Sequence, residues 1–222
     1  MNVERQSVAP NWPGDPATMG PGDVDFEALA HVLANTCCWG GRSRRFYSVA
    51  QHGVNVSAAV DRLGRMDEAE RRVLGLHALL ADAPLAWTSP AGGTPAGVAA
   101  AGSAKAEERV RRERARVRRT VLEAAGLEPE LHGNWAEALK FIRRMAEAAL
   151  VRDLREAGIG DGGTGVMGAG PLFPPLKQRV RPLAPDRAAK KWLERFSELR
   201  AGLPPKGADA GGNGGGEGGA GA

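Results

Sequence analysis

The chain has 222 residues, of which 42% are hydrophobic and 25% charged, and its formal net charge is +4. This length and apolar content suffice for one buried core, and the lack of any run of about 18 apolar residues argues against a membrane-spanning protein. The N-terminus has no apolar centre of the signal-peptide type, so we expect a soluble, cytoplasmic protein. Its two cysteines, Cys37 and Cys38, are adjacent and badly placed to bridge each other, which fits a reducing compartment.

Apolar residues recur at helical spacing along the chain, and no segment shows the alternating pattern of a strand. Asp67 is a candidate N-cap and Gly126 a candidate C-cap. His52 is in phase with Val49 and Val56, which places it on the core side of its helix. The sequence therefore predicts an all-α helical bundle, with helices in the segments 23–37, 47–63, 66–87, 105–126, 134–154 and 185–203.

Glycine- and proline-rich segments divide the chain. Residues 1–22 lack periodicity and are predicted to be irregular. One helical domain is expected over 23–203, with Gly/Pro-rich loops at 88–104 and 158–175. The tail, 204–222, is too rich in glycine to bury a core and is predicted to be disordered.

Four segments of the sequence together resemble a known protein family. They are "DVDFEALAHVLANTCCWGGRSRRFYSVAQHGVNVS", then "LHALLADAPLAW", a helix ending in "RDL", and "RPLAPDRAAKKWLERFSEL". Together they resemble the HD-domain phosphohydrolases, in particular the bacterial 5'-deoxynucleotidase branch, and "FYSVAQH", which ends at His52, is the most specific part. The resemblance implies a bundle in which a His, an adjacent His-Asp pair and a later Asp bind a divalent metal. Such an ion lowers the pKa of bound water and neutralises phosphate.

Placed on this sequence, the family's first metal ligand corresponds to His52, and the Asp of the pair to Asp82. The His of the pair corresponds to Ala81 and the later Asp to Arg143. Two of the four ligands are therefore absent, and one of them is replaced by a cation. His52 and Asp82 are what the resemblance leaves of a metal site.

The family's catalytic acids are also absent, because their positions correspond to Leu85 and Pro90. An arginine that would hold the phosphate corresponds to Cys38. The resemblance thus assigns no catalytic residue to this chain, and we expect no bound cofactor. If the chain were nevertheless active, a divalent Mn, Co, Fe, Ni, Zn or Mg ion would be the cofactor.

Each histidine and acid also has a purely structural interpretation. His52 can be a buried, hydrogen-bonded core histidine, and Asp82 can be the ion-pair partner of Arg143, which would satisfy both charges in a closed bundle. We expect His31 and His77 to pack between helices.

The segment 109–119, "RVRRERARVRR", contains seven arginines and one glutamate. A helix of this kind can contact the phosphates of a nucleic acid. It can also be a solvated face whose arginines pair with nearby glutamates. Because no aromatic residue is interleaved, base stacking has no support.

Three functions stay open at this point. The favoured interpretation is a phosphohydrolase-like protein with a degenerate metal site, which binds or regulates instead of catalysing, with a nucleotide or other phosphate ligand as its partner. The first alternative is an active metal-dependent phosphohydrolase that uses His52, Asp82 and unrecognised ligands. The second is a binder of phosphate or nucleic acid through 109–119. No membrane partner is expected.

Overall fold

The part of the chain that the computed structural model describes is helical and contains no β-strand. The described residues are 16–41, 43–64, 66–88, 104–154 and 173–203. The predicted all-α class is confirmed. Most of the predicted irregular lead-in, most of both predicted loops, the whole predicted tail and Pro90 lie outside the described residues.

The helices follow the segments that the apolar spacing predicts, except that the segment 66–87 contains two helices. The helices are α1 (Phe26–Asn35), α2 (Val49–Val60), α3 (Glu68–Leu80), α4 (Leu85–Thr88), α5 (Ala104–Ala124), α6 (Asn134–Leu154) and α7 (Pro185–Ala201). None of them is both long enough and apolar enough to cross a membrane, within the residues described.

Polar side chains determine where the first three helices begin. The carboxylate of Asp25, the hydroxyl of Ser48 and the carboxylate of Asp67 accept hydrogen bonds from first-turn backbone amides of α1, α2 and α3. Glu70 completes a capping box with Asp67, so the predicted N-cap is confirmed. Gly126 follows α5 with a φ of 85°, a left-handed conformation that favours glycine after a helix.

The prediction of one helix over 66–87 was wrong, because α3 ends at Leu80. A turn follows before α4 begins. Pro84 has no N–H to donate to the carbonyl of Leu80, and the amide of Ala83 donates to that carbonyl instead, at 3.1 Å. Asp82 therefore lies in a turn, and the angular spacing of a helix does not fix the direction of its side chain.

The helices α2 and α3 form the centre of the bundle. They pack against each other, and α7 packs against α1, α2 and α3. On another side, α5 packs against α3 and α4, while α6 packs against α2 and α3. The end of α3 is thus within reach of side chains on α2, α5 and α6.

His31 does not pack between helices, contrary to expectation, and is exposed. The buried face of α1 is formed by Leu29, Ala30, Leu33 and Ala34, and His31 lies off this face. His77 is buried on α3, as predicted.

An extended segment before α7 is held in place by polar contacts that the sequence did not reveal. The amide of Gln51 donates to the carbonyl of Arg181 at 2.7 Å and accepts from the backbone of Leu183 at 3.0 Å. The carboxylate of Asp153 accepts from the backbone of Val180 at 2.8 Å. These contacts fasten the segment to α2 and α6.

Close packing of α2 on α3 depends on Gly53, where a Cβ atom would lie 2.8 Å from the carbonyl oxygen of Leu79. We expect Gly53→Ala to lower the free energy of unfolding by about 1–3 kcal/mol, although alanine is the better helix former. Urea denaturation measures this change. At the control position Gly64, a Cβ atom would meet nothing within 4 Å, and Gly64→Ala should be nearly neutral. Equal stability of the two variants would contradict the close approach.

Candidate functional site

Three separate elements bring the predicted site residues together. His52 lies on α2, Asp82 in the turn after α3, and Arg143 on α6. The Nε2 atom of His52 is 3.9 Å from the Oδ2 atom of Asp82. The two side chains that the resemblance assigns to one site therefore lie close together.

Arg143 forms a bidentate ion pair with Asp82. Its Nη1 atom donates to Oδ2 at 3.1 Å and its Nη2 atom to Oδ1 at 2.8 Å. The two side chains are 28% and 18% exposed, respectively, so water screens them only partly. This ion pair is the one predicted from the sequence as the structural interpretation of Asp82. A bidentate pair of this kind is among the stronger hydrogen-bond geometries in proteins. Both carboxylate oxygens are engaged by one guanidinium.

The charges of the pair stabilise each other despite burial. Burial is the largest single effect and would raise the pKa of Asp82. The charge and hydrogen bonds of Arg143, together with smaller effects of His52 and Arg118, outweigh it, and the pKa is lowered. Burial likewise opposes the charged form of Arg143, whose pKa is nevertheless raised by the charge and the hydrogen bonds of Asp82. Both groups are therefore ionised at neutral pH.

His52 is buried as predicted, but it lacks the expected hydrogen bond. Its Nδ1 atom has no partner within the described residues, and the 3.9 Å from Nε2 to Asp82 exceeds hydrogen-bonding distance. The carboxylate is oriented toward Arg143 instead. Burial lowers the pKa of His52 to about 4, more than the opposing charge of Asp82 raises it, so the imidazole is neutral at physiological pH.

The remaining positions from the resemblance carry no catalytic group. Leu85 begins α4 and is half-buried. Burial raises the pKa of the Cys38 thiol, and the negative charge of Asp82 raises it further. A thiol that stays protonated is a poor nucleophile. Cys38 therefore supplies neither the charge nor the reactivity of an arginine at this position.

The residues present do not fit the divalent metal that the resemblance implies. Among the described residues, no group of three or more His, Cys, Asp or Glu side chains is arranged to hold a metal ion. His52 and Asp82 converge, but Ala81 offers no donor atom. The guanidinium of Arg143 engages Asp82 and would repel an ion placed there.

A cleft of about 500 Å³ opens beside the ion pair, between α5 and α6. Its lining includes Ala81 and Arg143, the two positions where metal ligands are absent. Three further cations line it, namely Arg118, Arg119 and Lys140. Volumes of roughly 300–1,000 Å³ are typical of small-molecule sites. The sequence indicated a basic helix but did not indicate that its C-terminal part faces Arg143.

Two pairs of arginines on α5 lie on different surfaces of the helix. Arg111 and Arg112 lie on the outer face and both form ion pairs with Glu108, as the solvated-face interpretation expects. Arg118 and Arg119 line the cleft.

His77 lies near Arg118 rather than in the ion-pair site. Its pKa is lowered to about 4 by burial and by the positive charge of Arg118, while a backbone hydrogen bond with Glu128 opposes the shift. We interpret His77 as a neutral packing residue.

Comparison with models of known protein families finds no match to this chain, and comparison with curated proteins finds none. The resemblance to the HD-domain phosphohydrolases therefore stays a prediction from the sequence motifs.

The two buried histidines make the fold sensitive to acid. Their pKa values lie near 4 in the folded protein and near the ordinary 6.5 in the unfolded chain. Between these values the unfolded state binds more protons. The free energy of unfolding should therefore fall as the pH decreases from about 7 to about 4.

Replacing His77 by Gln should remove one of these contributions, which amounts to roughly 3 kcal/mol at the acid end of the window. Urea denaturation at several pH values gives the slope of stability against pH for each protein. The matched control is His132→Gln, at an exposed position. If the His77 variant loses as much stability with acid as the control does, the buried neutral histidine is not the cause.

Proposed function

We propose that this chain is an HD-domain-like protein that binds a phosphate-bearing ligand, such as a nucleotide, and does not hydrolyse it. The observation that carries the proposal is the bidentate ion pair between Arg143 and Asp82 beside His52. In a metal-dependent phosphohydrolase this carboxylate would be a ligand of the ion. Here a guanidinium engages both of its oxygens.

The chemistry of the site favours binding over turnover. A guanidinium donates hydrogen bonds to phosphate, but it neither lowers the pKa of a bound water as a metal does nor accepts a proton. Asp82 is committed to Arg143, and Leu85 has no carboxylate to activate water. The cleft beside the pair offers further cationic side chains to a phosphate, while the site lacks the groups that would generate a nucleophile.

An active phosphohydrolase is the first alternative. It requires metal ligands in addition to His52 and Asp82, and the described residues do not supply a group of them.

A cytoplasmic location belongs to the proposal as well, because Cys37 and Cys38 are free thiols.

Nucleic-acid binding through α5 is the second alternative. The observation in its favour is the exposure of Arg111 and Arg112, whose side chains are 78% and 73% exposed. Their shared partner Glu108 reduces the charge available to a phosphate backbone. Binding of a single-stranded oligonucleotide that is weakened by changes on both faces of α5 would distinguish this alternative.

Metal analysis tests the proposal against the enzyme alternative. The purified protein should contain only substoichiometric Mn, Fe, Co, Ni or Zn and should release no phosphate from nucleoside monophosphates above background. The pair of changes Ala81→His and Arg143→Asp should raise the affinity for Mn²⁺ or Co²⁺ far more than either alone. The first adds a ligand and the second frees Asp82 from its guanidinium.

The matched control for this experiment is Ala81→His combined with Arg144→Asp. Arg144 is the neighbour of Arg143 on α6, and its side chain pairs with Glu147 instead of Asp82. The control makes the same change in charge but leaves Asp82 engaged, so its metal affinity should stay low. A stoichiometric transition metal in the unmodified protein, lost on His52→Ala, would overturn the proposal.

A further inference from the structure

The cleft between α5 and α6 carries more positive charge than its own side chains neutralise. Three of its four cations have a carboxylate partner: Arg143 pairs with Asp82, Arg119 with Glu130 at 2.6 Å and Lys140 with Glu137 at 2.6 Å. Within the described residues, the side chain of Arg118 forms no hydrogen bond and no ion pair. The surplus charge of the cleft therefore lies on Arg118.

Arg118 is half-buried and lies within the electrostatic reach of Arg143. Burial lowers the pKa of Arg118, and the like charge of Arg143 lowers it further, while Asp82 opposes the shift. Both guanidinium groups line the same cleft, but Asp82 accepts hydrogen bonds from Arg143 only. An anion entering the cleft would relieve this repulsion.

Both guanidinium groups have donors to offer such an anion. A guanidinium carries five N–H donors in a planar fork, and Asp82 accepts from only two of those on Arg143. The donors of Arg118 are unused within the described residues. A phosphate with several terminal oxygens can accept from two guanidinium groups at once, in the charge-assisted geometry that favours arginine.

Apart from the four cations and Glu130, which pairs with Arg119, the residues that line the cleft are apolar. Leu122 on α5, Leu131 in the connection and Leu139 on α6 line it. Leu122 and Leu139 are buried, and Leu131 is half-buried. The cleft is larger than a bare phosphate ion requires. An occupant that matches this lining has an anionic end and an organic body.

We propose that this cleft is a metal-independent binding site for a phosphomonoester, in which Arg118 and Arg143 hold the phosphate and the apolar lining, with the half-buried Leu131 as its most accessible leucine, contacts the organic body. The inference rests on the proposed function to the extent that Arg143, and not an ion, is the cation beside Asp82. It adds Arg118, which no motif of the resemblance includes, as the principal determinant of phosphate affinity.

Calorimetric titration of the full chain with adenosine 5'-monophosphate, adenosine and inorganic phosphate tests the site. The monophosphate should bind in metal-free buffer containing a chelator, and adenosine and inorganic phosphate should each bind at least about tenfold more weakly. Arg118→Gln should weaken binding of the monophosphate by about tenfold or more, and Arg118→Lys should retain part of the affinity, because it keeps the charge but loses the fork.

The matched control is Arg112→Gln, which removes the same charge from the same helix at a side chain that is 73% exposed and outside the cleft lining. It should change affinity by less than about twofold. Thermal unfolding of each variant checks the fold. Arg118→Gln should unfold no earlier than the unmodified chain, since it removes a charge that repels Arg143. Should it fail to fold, the affinity of Arg118→Lys decides.

Several results would overturn the site. They are the absence of monophosphate binding at millimolar concentration, equal losses in Arg118→Gln and Arg112→Gln, and inorganic phosphate or adenosine binding as tightly as the monophosphate. A single-stranded oligonucleotide that binds more tightly than the monophosphate and is weakened equally by both variants would favour nucleic-acid binding along α5 instead.

Metal content and phosphate release, measured on the same samples, separate this inference from the proposed function. Binding that depends on Arg118, together with a stoichiometric metal and hydrolysis, would leave the cleft site standing and refute the non-hydrolytic function. A metal-free, inactive protein that does not bind the monophosphate would refute the cleft site. The interpretation of the ion pair as a site without hydrolytic activity would then be retained.

Discussion

The ion pair between Arg143 and Asp82 is the interaction on which the rest of this site depends. A partly buried carboxylate requires a positive partner, and two hydrogen bonds from one guanidinium provide it. The pair connects the turn after α3 to α6 across the bundle. It keeps Asp82 ionised and orients the carboxylate away from His52, whose imidazole is kept neutral by burial and has no hydrogen-bond partner at Nδ1 in the described part of the chain. It also makes the point where these side chains converge unfavourable for a metal ion.

The same pair links the interior of the bundle to the cleft between α5 and α6. Arg143 contacts Asp82 and also lines the cleft, so a ligand in the cleft would interact with a guanidinium whose charge is already partly neutralised. Arg118 then contributes the charge that has no partner of its own among the described residues. The arginines of the basic helix α5 therefore lie on two different surfaces. Arg111 and Arg112 pair with Glu108 on the outer face, whereas Arg118 lines the cleft.

Local patterns in the sequence predict much of the fold and part of the site. Helical spacing gives the helix segments, Asp67 identifies one helix start, and the phase of His52 with its neighbours places it in the interior. The break after Leu80 was missed because apolar spacing continues past Pro84, whereas the missing N–H of proline ends the helix. The exposure of His31 and the position of Arg118 depend on how distant helices pack, and spacing within one segment carries no information about that.

A double-mutant cycle on Asp82 and Arg143 tests the central claim, that the guanidinium serves as the counter-charge of the carboxylate, most directly. Arg143→Met should lower the free energy of unfolding by about 3–5 kcal/mol, because it leaves a buried carboxylate unpaired. Asp82→Asn combined with Arg143→Met should recover a substantial part of that loss, giving a coupling of at least about 1 kcal/mol. Urea denaturation of the four proteins measures it. Losses that simply add would show that the two groups do not depend on each other and would contradict the account.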